Sequence, residues 1–156
     1  MNIASERSDD GRPLMVAGAL LFLFSLFVGL AIPRFALPRL ALSAHLLGIT
    51  QGTFLIAVGA IWPRLGCTRG QSLFGHVLAI YGCAAAWIAN LCGAVIGAGG
   101  SMVPIASGGT KGTAAQETVI RILLASAAIS LIAFAVLLLW RLTAATAATQ
   151  LPDVDR

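Results

Sequence analysis

Residues 40–62 read LALSAHLLGITQGTFLIAVGAIW. No Asp, Glu, Lys or Arg interrupts them. A helix crossing the hydrocarbon core of a bilayer needs about 20 apolar residues at a rise of about 1.5 Å each, so this stretch is long enough for one crossing. It is not a plain wall, because His45, Gln51 and three glycines are set into it. Pro63 follows directly and marks the end of the helix, since proline cannot donate to the backbone ladder.

The same pattern repeats on either side. No charged residue lies between Arg12 and Arg34, between Arg69 and Lys111, or between Arg121 and Arg141. The spacing predicts an all-α membrane protein, a bundle of four transmembrane helices over about 14–32, 40–62, 72–98 and 122–140. The transmembrane domain then runs over 14–142, between a polar N-terminal tail of residues 1–13 and a polar C-terminal tail of residues 143–156. Composition agrees: 58% of the 156 residues are hydrophobic and 10% charged, against roughly 25% charged in soluble domains. That excludes a disordered chain. Ten scattered cations, with no basic stripe and no Cys/His finger, also speak against a nucleic-acid partner. The first span is longer than the apolar core of a cleaved leader, and Glu6, Asp9 and Asp10 dilute the segment before it. Loop cations number six against four, a bias that places both termini in the cytoplasm, with a bacterial inner membrane as the expected location.

Polar groups inside hydrocarbon are the first places to look for function. In the second span His45, Gly48, Gly52 and Gly59 fall within roughly 60° of one another on a helical wheel. That face joins an imidazole to a backbone groove, where another helix or a flat ligand can approach closely. Gln51 lies roughly 120° away and can border the same cavity. In the third span, Asn90 is the mid-membrane amide, and Tyr81 is on the opposite face. Cys67, Cys83 and Cys92 have no metal-site spacing and read as small hydrophobes. The first and fourth spans read as walls, with Ser126 and Ser130 bonding back to their own helix. The third loop ends at Glu117, which is either a favourable charge at a helix start or part of a loop folded back over a cavity.

Three blocks carry a resemblance: LSAHLLGITQGTFLIAVGAIW at 42–62, the Tyr81-Gly82 pair with Trp87, and PIASGGTKGTAAQE at 104–117. Together they resemble the hydroxylaminobenzene mutase family, small four-span bacterial membrane proteins. More distantly, the chain is similar to styrene oxide isomerase. The mutase resemblance implies an intramolecular transferase of nitroaromatic degradation that converts hydroxylaminobenzene to 2-aminophenol. The isomerase resemblance implies haem b, with the ligand His falling on His45, and a homo-oligomer. Where the isomerase has an Asn, this chain has Gln51. Where the mutases have an Asn before the third-span Trp, this chain has Ala86, with Asn90 one turn later. Tyr81 replaces an Asp of the isomerase, which argues against epoxide chemistry. The expected site is therefore His45, Gln51 and Asn90 as catalytic residues, with His45, Gly48 and Gly52 around a cofactor or flat aromatic substrate. The alternative is a non-catalytic membrane subunit or scaffold that assembles through its small-residue faces.

Overall fold

The computed structural model describes residues 11–149. Most of the N-terminal tail, Arg7 included, and the end of the C-terminal tail with Arg156 lie outside the described residues. The described chain is all helical. Helix α1 spans Arg12–Ala31, α2 Pro38–Ile61 and α3 Arg69–Ile96; a short α4 covers Pro104–Ser107, and α5 runs Ala114–Thr149. Four of these helices are long and apolar enough to cross a membrane.

Local chemistry sets the boundaries. Pro13 and Pro38 stand at the first positions of α1 and α2, where the missing N–H costs nothing. Short 3-10 turns at Ile32–Arg34 and Trp62–Leu65 end both helices at Pro33 and Pro63. Thr68 caps α3 in a capping box with Gln71, and Gly97 closes it with φ +74°. Helix α5 continues to Thr149, past the expected edge of the fourth span, because Thr and Ala after Arg141 offer no break.

The helices pack in a folded row: α1 against α2, α2 against α3, and α3 against α5. The α1–α2 seam is made of glycine. A Cβ on Gly18 would stand 2.6 Å from the Gly52 carbonyl oxygen, and a Cβ on Gly52 2.7 Å from the Gly18 oxygen. Gly11 and Gly59 repeat the reciprocal contact nearer the membrane surface. Close backbone approach of this kind is how helices associate when lipid removes the hydrophobic drive. The apolar centre lies at the Gly11–Gly59 end of that seam, where Trp62 is buried among Leu14, Leu55 and Phe134 and its indole N–H donates to Ser72 Oγ at 2.9 Å. Helix α3 buries the largest share of its apolar stretch and α5 the smallest, so α5 is the more lipid-facing wall.

One expected bond differs. Ser126 does bond back to Leu123 of its own helix, but Ser130 Oγ crosses to the Leu78 carbonyl of α3 at 2.9 Å. The fourth span is thereby pinned to the third by a polar link. Arg141 ties the far end of α5 to the turn between α2 and α3, donating to the carbonyls of Leu65 and Gly66.

Candidate functional site

The site grows from the α1–α2 seam. The face of α2 that carries His45, Gly48, Gly52 and Gly59 lies against α1. At the His45 end, α1 offers Gly29, and the imidazole occupies the space a side chain there would need. A Cβ on Gly29 would lie 2.6 Å from both Nδ1 and Cε1 of His45. The ring nitrogen Nδ1 is 2.6 Å from the backbone carbonyl oxygen of Ser25. A carbonyl can only accept, so Nδ1 carries the proton and donates it. The lone pair is then on Nε2, which makes no hydrogen bond among the described residues. Holding one imidazole nitrogen by a carbonyl is the usual way a protein sets the tautomer and aim of the other, for a ligand or for proton transfer.

One turn along, Gly48 meets two polar groups from different helices. The point where its Cβ would stand is 1.7 Å from Ser25 Oγ of α1 and 2.7 Å from Nε1 of Trp87 on α3. Both atoms are buried and have no hydrogen-bond partner among the described residues, and so has Gln51 Oε1. Phe24 leans on the Trp87 ring, with centroids 6.5 Å apart. Ser25 therefore serves the site twice, through its carbonyl to His45 and its hydroxyl at Gly48.

Among the expected site residues, His45 and Gly48 are brought together with Ser25, Gly29 and Trp87. The open groove expected at Gly48 and Gly52 is filled within the chain: Trp87 and Ser25 take the first position, and Gly18 with Phe22 the second. These glycines give room to α1 and to an indole edge. Gln51 keeps a buried amide oxygen without a hydrogen-bond partner among the described residues, and no hydrogen bond joins it to His45. Asn90 is buried and turns its amide back, Nδ2 donating to Ala86 of its own helix at 2.9 Å, so no hydrogen bond joins it to His45. Tyr81 points away and shares a hydrogen bond with Ser126.

Ser25 and Gly29 were not among the expected site residues. A backbone carbonyl acceptor leaves no mark in sequence, but Ser25-x-x-x-Gly29 is a small-residue pair holding the one hydroxyl of an otherwise apolar span. The loop after α3 also has more order than its composition shows. The Glu117 carboxylate accepts from the backbone N–H groups of Gly99, Gly100, Ser101 and Gly112 and from Ser101 Oγ. So gathered, the loop folds back over one end of the bundle, where Val103 and Ala106 pack on Leu40 and Ala41 of α2. A cleft of about 470 Å³ opens there between Arg39, Ser43 and the 102–106 segment.

The family model described as styrene oxide isomerase matches residues 11–143. The chain belongs to the styrene oxide isomerase family. It is 43% identical over 136 residues to hydroxylaminobenzene mutase HabB of Ectopseudomonas oleovorans, covering 87% of this chain and 83% of that one. To hydroxylaminobenzene mutase HabA of the same organism it is 36% identical over 126 residues, covering 81% and 93%. No solved structure matches it. The matched region takes in helices α1, α2 and α3, which carry Ser25, Gly29, His45, Gly48 and Trp87.

Proposed function

We propose that this membrane protein isomerises an arylhydroxylamine, such as hydroxylaminobenzene, to the ortho-aminophenol. The observation that carries the reading is the 2.6 Å contact from His45 Nδ1 to the Ser25 carbonyl, which leaves Nε2 without a hydrogen-bond partner among the described residues, in the seam between α1 and α2. The 43% identity to a hydroxylaminobenzene mutase supplies the substrate class.

The reaction is internally balanced. The N–O bond breaks with its electron pair going to oxygen, and a C–O bond forms at the ortho carbon of the same molecule. That carbon then loses its proton and nitrogen gains one, so no oxidant or reductant is consumed. The difficult moment is the departure of oxygen, when positive charge spreads over nitrogen and ring. A proton donor or Lewis acid on that oxygen lowers the barrier, and exclusion of water protects the cation from capture. His45 stands where it can serve the leaving oxygen. Gln51 can orient the substrate through its free amide oxygen. Asn90 keeps its Nδ2 on the Ala86 carbonyl of its own helix and would have to give up that bond to meet a substrate. The absence of any Asp, Glu, Lys or Arg from the spans around His45 suits a cation-forming rearrangement better than hydrolysis or ion transport.

His45 is the residue that would hold a haem b iron, since its Nδ1–H is held by a carbonyl and Nε2 makes no hydrogen bond among the described residues. When bound, the iron would supply the Lewis acid for the oxygen. The reading includes assembly with further copies of the chain, for which Phe24 and Leu46 offer exposed apolar surface near His45. It places both termini on the cytoplasmic side of a bacterial inner membrane. The test is product identity: the purified chain in detergent, given hydroxylaminobenzene and no redox partner, forms 2-aminophenol. If the substrate is returned unchanged, or gives only what buffer alone gives, the protein is a scaffold and the reading is wrong.

A further inference from the structure

Arg39 is the second residue of α2, at the edge of its span, and its side chain is exposed. Among the described residues its guanidinium makes no hydrogen bond or ion pair. It lines two adjoining cavities. One, of about 470 Å³, lies between Ser43 and the 102–106 segment. The other, of about 360 Å³, runs past Leu37 and Pro38 to Gly108. The far wall is held in place, because Val103 and Ala106 pack on Leu40 and Ala41 and the Glu117 carboxylate gathers the backbone on both sides of the segment. On that wall Ile105 is 89% exposed and Met102 42%. Such a surface is costly in water but not at the boundary of a bilayer, where long cationic side chains reach the headgroups and apolar ones meet the acyl chains.

Arg39 and Ser43 stand roughly 120–160° around α2 from His45, so the cleft opens on a different face from the imidazole. The charges around it narrow the occupant. Arg34, Arg39, Lys111 and Arg121 all belong to this end of the bundle. Glu117 is the only carboxylate side chain among the described residues, and its oxygens already accept from five donors. An anionic group therefore finds an unused cation, whereas the ammonium of a zwitterionic headgroup finds no free carboxylate. A free phosphate would gain nothing from Met102, Val103 and Ile105. We infer that the cleft between Arg39 and the 102–106 segment holds one phospholipid with an anionic headgroup, its phosphate on the Arg39 guanidinium and the start of an acyl chain against Met102, Val103 and Ile105. The lipid then ties the loop after α3 to the first turn of α2.

The test is native mass spectrometry of the full chain in detergent. It is titrated with phosphatidylglycerol, with phosphatidylcholine of the same acyl chains, and with glycerol phosphate, which has the charge but no chains. Wild type takes up one phosphatidylglycerol in preference to phosphatidylcholine and does not retain glycerol phosphate. Arg39→Gln lowers the affinity for phosphatidylglycerol by about fivefold, the usual share of one basic residue at an anionic surface. Ile105→Ser weakens uptake with no change of charge. Arg64→Gln, at the opposite end of α2, leaves it unchanged. Both arginines are exposed, so both variants should fold, and their unfolding midpoints in lipid-free detergent should match wild type. An equal fall in Arg39→Gln and Arg64→Gln would mean diffuse attraction to a basic chain and overturns the inference. Equal uptake of the two lipids overturns it too, leaving an ordinary apolar rim. So does retention of glycerol phosphate as strongly as of the lipid, which leaves an anion site alone.

Discussion

His45 Nδ1 donates to the Ser25 carbonyl across 2.6 Å, and its ring fills the space left by Gly29 on the same helix. The pose of the imidazole therefore depends on a residue that never touches its free nitrogen. A methyl group at Gly29 would fall 2.6 Å from Nδ1 and Cε1, well inside van der Waals contact, and the ring must move. Gly29→Ala is expected to cut turnover by roughly 100-fold, the cost of a misplaced catalytic group, while His45 is still present. Wild-type rates in that variant would show that the ring position does not matter.

The glycine seam makes a stability prediction. A Cβ at Gly52 meets the Gly18 carbonyl, and the Phe22 backbone nitrogen 2.9 Å away, neither of which can swing aside. Gly52→Ala should destabilise the protein by about 1–3 kcal/mol, the usual cost of overpacking, seen as a lower midpoint of thermal unfolding in detergent. Gly70 is the control: nothing lies within 4 Å of its Cβ position, in the first turn of α3. Gly70→Ala should be neutral or stabilise by about 0.4–1 kcal/mol. Equal effects from the two would remove the close-packing account.

Glu117 makes a third. Its two carboxylate oxygens share five donors from residues 99–112, whereas an amide has one acceptor oxygen and two N–H donors facing the same groups. Glu117→Gln should loosen the loop, and trypsin should cut after the exposed Lys111 faster than in wild type. Unchanged cleavage would mean that the loop is held by Val103 and Ala106 alone.

The fold was legible because charge is so costly in hydrocarbon. Four gaps between arginines and lysines located four helices, and Pro33 and Pro63 located two of their ends. His45 stood out for the same reason, as an imidazole in an apolar run. Its partners did not. The acceptor of Nδ1 is a backbone carbonyl, which every residue has, and Gly29 matters by an absent side chain. Ser130 was equally free, on sequence, to bond within its helix or across to Leu78; only the approach of α3 decides it. Gly48 and Gly52 were recognisable as a groove, but not what fills it, because a small-residue face admits a helix, an indole or a ligand alike.

The haem reading has a spectroscopic consequence. Protein purified from haem-supplied cells should show a Soret band that is lost in His45→Ala and kept in Ser25→Ala, where the backbone carbonyl remains. A colourless protein that still forms 2-aminophenol would remove the haem and leave His45, once protonated on Nε2 as the imidazolium, as the proton donor to oxygen.

The central claim is that His45 is the group that acts on the leaving oxygen. The most direct test is the turnover number of purified His45→Ala with hydroxylaminobenzene, beside wild type at equal protein and with unfolding midpoints matched. The account predicts that 2-aminophenol formation falls by at least about 100-fold, the lower range for loss of a positioned acid or base. A variant that turns over within a fewfold of wild type would contradict it.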